Sequence, residues 1–203
     1  MNMFAVRALG ASTVAMLACL LTATSPTKHA IAAPQPAKPA FAFRGADYFH
    51  RWSQGTQHEF TPAKQEDLKA WTDMVTINIY ADAGDGDALA GIANSVLENY
   101  KTHKAMVLNT KSVPRTADKP AEHLIAVVFG RPTFIEVAFA RLKIVDGVGC
   151  SAVYSHRIYG EKIGDAMSAW LRANGPDTEK ALMEWNSIGA AVSAARELGR
   201  SKT

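Results

Sequence analysis

Two periodicities alternate along this chain. Val75, Ile77 and Ile79 fall on one side of a run whose other side is Thr76, Asn78 and Tyr80. That period of two is the mark of a half-buried strand. Asp82 to Asp87 is a Gly/Asp turn, after which the period changes. Leu89, Ile92, Ala93, Val96 and Tyr100 recur at helical spacing, with Asn94, Glu98 and Lys101 off the stripe, so an amphipathic helix follows. Met106 to Val113 reads as a strand and Pro114 to Pro120 as a charged loop. Leu124 to Phe129 is wholly apolar, which places it as a strand at the centre of a sheet, covered on both faces.

The most informative local signal lies between Phe134 and Tyr159. Phe134 to Val145 and Val148 to Tyr159 are strand-like runs joined by Asp146-Gly147, a favoured two-residue hairpin turn. That turn sets a register in which paired positions sum to 293. Phe139 then lies opposite Tyr154 and Val137 opposite His156, while Glu136 meets Arg157 on the other face.

Nearer the start, Tyr48 to Trp52 and Thr56 to Phe60 flank Ser53-Gln54-Gly55 as a first hairpin. Thr61-Pro62 predicts an N-cap with proline at the first helical position, opening a short helix through Leu68 to Trp71. At the other end, Gly164 to Ala173 and Glu179 to Ala195 predict helices broken at Asn174-Gly175-Pro176, with a frayed tail from Gly199. No internal repeat is present. Consecutive strands favour antiparallel pairing, so the fold class is α+β, an antiparallel sheet flanked by helices.

The first residues follow neither period. Arg7 precedes an uncharged apolar run, Ala8 to Ala23, and Ala30-Ile31-Ala32 supplies small residues for a signal peptidase. The run is shorter than the roughly 20 residues that span a bilayer. A cleaved signal peptide over 1–33 is therefore expected, with the cut after Ala32 or Ala33. Lipidation at Cys19 is the alternative, poorly supported because Met16 stands where a branched apolar residue belongs. Residues 34–40 form a Pro/Ala linker and 41–198 one α+β domain. The expected localisation is periplasmic or secreted, with no membrane span after cleavage.

Removing that segment changes the charge. The chain has 22 Lys+Arg and 19 Asp+Glu. Arg7 and Lys28 leave with the signal, so 20 basic residues face 19 acidic ones. No basic run remains that would read as a nucleic-acid surface. Only Cys150 remains of the two cysteines, so no internal disulfide is expected despite the oxidising destination.

Candidate chemistry is sparse. Ala83-Gly84-Asp85-Gly86-Asp87-Ala88-Leu89 resembles one calcium-binding repeat of the RTX type. Such repeats work by stacking, and a single copy is better read as a helix N-cap from Asp85 or Asp87. Ser155 and His156 are neighbours on a strand, hence on opposite faces, and cannot form a nucleophile–base dyad. Cys150 and His156 share a face but stand about 20 Å apart along it, and Cys150 reads as a small core residue. The remaining histidines show no metal-ligand spacing. His50 and His58, with Glu59, could approach across the first hairpin, a weak metal possibility, so no metal or cofactor is assigned. His156 reads first as a satisfied core histidine. Arg141 continues an apolar face, a costly place unless it is paired. Arg157, Glu136, Ser151 and Ser155 share the opposite face, which is either solvated, the favoured reading, or the floor of a groove.

Two phrases, Trp71-Thr72-Asp73-Met74-Val75-Thr76-Ile77 and Ala121-Glu122-His123-Leu124-Ile125-Ala126-Val127-Val128-Phe129, resemble those of exported bacterial proteins of unknown function. More loosely, the element order from Val75 to the last helix is similar to the Mog1/PsbP-like fold. That resemblance implies an antiparallel sheet sandwiched by helices and a role as a binding or assembly factor rather than an enzyme.

The sequence therefore favours an exported accessory domain that binds an envelope protein or a small ligand. Glu136, Arg157, Ser155, Arg141 and His156 are its candidate ligand contacts, and no catalytic residue is assigned. The competing class is a periplasmic hydrolase assembled from Glu122, His123 or His156.

Overall fold

The computed structural model describes residues 38–200. The expected signal peptide, Cys19 and all but the last three linker residues lie outside them, as do the last three residues of the tail. Two strand series account for the sheet. The first is β1 (Phe41–Phe43), β2 (Ala46–Gln54), β3 (Gln57–Pro62) and β4 (Asp73–Tyr80). Helix α1 (Gly86–Thr102) then crosses to the far edge, and β5 (Met106–Val113), β6 (Glu122–Gly130), β7 (Phe134–Val145) and β8 (Val148–Tyr159) return. The sheet has eight strands in the order β1-β2-β3-β4-β8-β7-β6-β5. Every pairing is antiparallel. Helices α2 (Ile163–Met183) and α3 (Ile188–Arg200) follow. This is the α+β class expected.

The β7–β8 hairpin has the register that the Asp-Gly turn dictates, from Phe134 opposite Tyr159 to Val145 opposite Val148. Asp146 and Gly147 both have positive φ, 50° and 74°, the backbone a primed turn needs. The same geometry recurs at Arg44-Gly45, with φ of 49° and 77°, and creates a β1–β2 hairpin that the sequence reading missed. Between β2 and β3 the turn is Gly55-Thr56, one residue later than expected, since Gln54 pairs with Gln57.

Each face has its own core. Leu89 and Ala93 of α1 pack with Ile125, Val127, Ala138 and Val153. On the other face Leu182, Trp185, Ile188 and Val192 pack with Phe60, Ile77, Leu124 and Phe139. Cover on both sides explains the apolar run of β6. The strand is not central, however: only β5 lies beyond it. The edge strand β5 is exposed throughout, and Met106, Val107, Leu108 and Val113 are exposed large apolar side chains.

Three helix expectations need correction. No helix follows Thr61-Pro62; the strand runs through both residues and 63–72 is irregular. The Thr61 hydroxyl donates to the Gln65 carbonyl and accepts from Arg51 Nε, so it closes a loop rather than capping a helix. Helix α2 does not break at Asn174-Gly175-Pro176. Pro176 is exposed and costs one backbone bond. Around it Met167, Gly175, Thr178 and Leu182 stay buried, and the Thr178 hydroxyl donates to the Asn174 carbonyl at 2.7 Å. The break falls instead at 184–187, and α3 continues to Arg200 rather than fraying at Gly199.

The Gly/Asp turn before α1 caps that helix. Asp85 is the N-cap and accepts from Ala88 N–H at 2.8 Å, while Asp87 sits in the first turn beside the positive helix end. Asp85→Ala is expected to cost about 1 kcal/mol in denaturant unfolding, and Asp87→Ala less. A larger loss at Asp87 would show that the cap is misassigned.

Candidate functional site

The two sheet faces divide the candidate residues. Arg141 and His156 lie on the α2/α3 face, whereas Glu136, Ser155 and Arg157 lie on the α1 face. No single site gathers all five.

The α1-face set is not a solvated surface. Glu136 is 6% exposed and Ser155 6%. Arg157 Nε donates to Glu136 Oε2 at 2.7 Å. Its guanidinium lies 3.9 Å from the ring centre of Trp71 and 4.1 Å from that of Phe134. The Arg157 N–H donates to the Thr72 carbonyl, and the Tyr159 hydroxyl to that of Trp71. These contacts fasten the irregular 63–72 segment to β8. The sequence could place Glu136 opposite Arg157, but not the loop that covers them.

Arg141 is also committed. Its Nε and Nη2 donate to Glu122 Oε2 at 2.8 and 2.7 Å. Its Nη1 donates to the carbonyls of Leu182 and Trp185, at the carboxyl end of α2 and just beyond. The pairing that the sequence demanded of Arg141 is supplied by strand and helix together.

His156 opens onto a cavity. Its Nδ1 donates to Asp73 Oδ1 at 3.0 Å, which leaves Nε2 as the ring's other polar atom. The ring stacks on Trp170 of α2, with centroids 4.3 Å apart. Asp73 is a hub. Its Oδ1 also accepts from the Tyr154 hydroxyl at 2.7 Å, and its Oδ2 from Thr72 at 2.9 Å and Gln65 at 3.4 Å. Gln65 Oε1 in turn accepts the backbone N–H groups of Thr72 and Asp73, so the irregular segment is tied to the strand it precedes. Burial alone would push the Asp73 carboxyl up. The bonds from His156 and Tyr154, the His156 charge and the bond from Thr72 outweigh it and hold the group at about 2. Burial raises the Tyr154 hydroxyl, with the Asp73 charge adding to it, so that phenol remains a donor.

These groups line a cleft of about 450 Å³, whose other walls include Phe43, Arg44, Tyr48 and Asn174. The volume is in the range of small-molecule sites. Arg44 projects from the β1–β2 turn over the Tyr154 ring, 5.6 Å from its centre, and its Nη1 donates to Thr178 Oγ1 at 2.6 Å. Tyr48 is 2% exposed as a residue, and its hydroxyl makes no hydrogen bond to a described residue; it is not a buried atom left without a partner, so the oxygen itself keeps contact with solvent. Asp73, Tyr48, Arg44 and Trp170 were all missed by sequence reasoning. Asp73 stands out in the sequence only as part of a family-like phrase, because the alternation that reveals β4 begins two residues later.

The hydrolase set is not brought together. Glu122 is bound by Arg141 and by Lys143 at 3.2 Å. His123 faces the opposite side of β6 and meets the exposed Ser112 through Nδ1 at 2.9 Å. Its Nε2 is buried with no partner, beside a small cavity of about 170 Å³, and no carboxylate among the described residues bonds to the ring. His58 and His50 approach as expected, with ring centres 6.4 Å apart. Ser53 Oγ stands between them, 2.6 Å from His50 Nε2 and 2.8 Å from His58 Nδ1. Among the described residues no three His, Cys, Asp or Glu side chains converge as a metal site. Cys150 is a buried free thiol that burial pushes up to about 11, as suits a core residue.

No protein-family model and no curated protein matches the chain. Among solved structures it is similar to the Ran-binding protein Mog1p of Saccharomyces cerevisiae, at 15% identity and a TM-score of 0.44, over 68% of this chain and 82% of that one. A mutant of the protein Mog1 is similar at 14% identity and a TM-score of 0.38, over 60% and 73% of the two chains. Human STARD10 follows at 8% identity and a TM-score of 0.29, over 76% and 75%. These likenesses are too distant to carry an argument about function.

Proposed function

We infer that this protein is an exported, non-catalytic binding domain whose ligand is a small molecule held in the cleft beside Asp73 and His156. The observation that carries the reading is the cleft itself, about 450 Å³ in volume and lined by aromatic rings around the Asp73–His156 pair. Rings from Phe43, Tyr154 and Trp170 give the apolar contact typical of such sites. No Ser, Thr or Cys is among the lining residues, so the Asp73–His156 pair is not part of a serine- or cysteine-type triad.

The expected result is a set of amide and indole shifts at Tyr48, Tyr154 and Trp170 when the labelled protein is titrated with a small-fragment mixture and followed by NMR. Shifts confined to β5 or scattered over the surface would refute the assignment. Export has its own test. Intact mass of the protein from the producing cell should correspond to a chain starting at Ala33 or Pro34; a chain retaining Met1 refutes it.

A further inference from the structure

We propose that the cleft takes a small planar monocarboxylate, an aromatic or conjugated acid. The inference rests on the binding reading above and sharpens it to a ligand class. It follows from which polar groups of the cleft are already committed and which are not.

Asp73 is the only carboxylate among the lining residues, and its lone pairs are occupied. Oδ1 accepts from Tyr154 and His156, and Oδ2 from Thr72 and Gln65. An ammonium group entering the cleft would have to displace those donors. The neutral acceptors His156 Nε2 and the Asn174 amide oxygen remain, but the charged group with bonds to spare is a donor, Arg44. Tyr48 offers a hydroxyl, and Arg44 has guanidinium N–H groups beyond the one spent on Thr178. The Trp170 indole N–H donates to no described residue either. A cationic donor beside further N–H and O–H donors calls for a ligand with an anionic acceptor. A guanidinium pairs with a carboxylate in two parallel hydrogen bonds.

Charge narrows the class. Arg44 brings one positive charge, and Asp73 keeps its negative charge throughout the neutral range. A dianion such as a phosphate monoester would meet that standing charge with one arginine to offset it, whereas a monoanion is matched by Arg44 alone. Shape supplies the planar part. Phe43, Tyr48, Tyr154 and Trp170 bring four aromatic rings to one cleft, and rings gain most from stacked or edge contacts with another flat π system.

The test compares 1-naphthoate with two analogues of its shape, 1-naphthalenemethanol and 1-naphthylmethylamine, by calorimetric titration of the mature protein at neutral pH. Naphthoate should bind at least tenfold more tightly than either. Arg44→Gln should remove that preference while leaving alcohol binding within about twofold, because Arg44 is exposed and the change leaves the ring walls in place. Tyr48→Phe, which keeps the ring, should weaken naphthoate several-fold more than the alcohol. Equal affinity for acid and alcohol would overturn the carboxylate proposal and leave the binding reading standing. Tighter binding of the amine would overturn it by reversing the sign. Failure of all three probes to bind, with the NMR fragment screen also silent at the cleft, would defeat both. A preference that survives Arg44→Gln in a protein of unchanged melting temperature would place the acid elsewhere.

Discussion

Arg141→Ala is expected to destabilise the protein by about 3–5 kcal/mol, the usual cost of removing one member of a buried ion pair. Three losses coincide. Glu122 keeps only Lys143 at 3.2 Å. The carbonyls of Leu182 and Trp185, near the end of α2, lose the donor they share. The aliphatic stem of Arg141, which is 5% exposed, leaves a gap in the core face. Urea unfolding measures the difference, and the melting temperature should fall by roughly 10 °C. The cause can be separated from the size. Arg141→Met combined with Glu122→Leu removes both charges and keeps volume, so it should recover most of the loss. A single-variant loss below about 1 kcal/mol would mean that the pair behaves as a solvent-screened surface bridge.

Asp73→Asn should cost about 2 kcal/mol at neutral pH, in the range of hydrogen bonds to a charged group. Its signature is the pH dependence. The folded carboxyl sits at about 2 against an ordinary 3.8. A group depressed in the folded state contributes stability that is complete above its unfolded value. That contribution is lost as pH falls through the folded value. The wild type should therefore lose up to about 2 kcal/mol between about pH 5 and pH 2, since each pH unit separating the folded and unfolded values is worth about 1.36 kcal/mol. Asp73→Asn has no such group, so the gap between the two proteins should close across that window. A gap that stays constant from pH 6 to pH 2 would show that the Asp73 charge stabilises nothing. Because Asp73 also holds His156 and Tyr154 at the cleft, the variant should weaken ligand binding as well.

The two residues illustrate different limits of sequence reading. Arg141 was recognisable as a problem, a charge continuing the apolar series Val137 and Phe139, but its solution was not. Glu122 comes from a neighbouring strand and the two carbonyls from the α2 end about forty positions later. Asp73 was not recognisable at all. Its partners Tyr154 and His156 are more than eighty positions away, brought beside it because β4 pairs with β8 rather than with β5. The same crossover decided that the Glu136–Arg157 face is covered. The sequence alone favoured a solvated face there, since small and polar side chains are equally compatible with water and with a lid.

What the chain determined by itself is whatever short-range geometry dictates. The Asp146-Gly147 turn set the β7–β8 register, because a slip by one residue would carry Val137, Phe139, Tyr154 and Ile158 off the buried face. The helical stripe of α1 and a cap at Asp85 or Asp87 were likewise legible, because each depends on residues a turn or less apart; the structure chose Asp85. Tertiary structure decided where a local rule could be outvoted. Pro176 should end a helix, yet burial of Met167 and Leu182 on either side carries α2 through it, offsetting the lost backbone bond. Thr61-Pro62 should begin a helix, yet pairing of β3 with its neighbours holds the segment extended. It also built the cleft, whose walls come from the β1–β2 turn, β4, β8 and α2, because convergence of distant residues depends on strand order. No periodicity within one segment encodes that order.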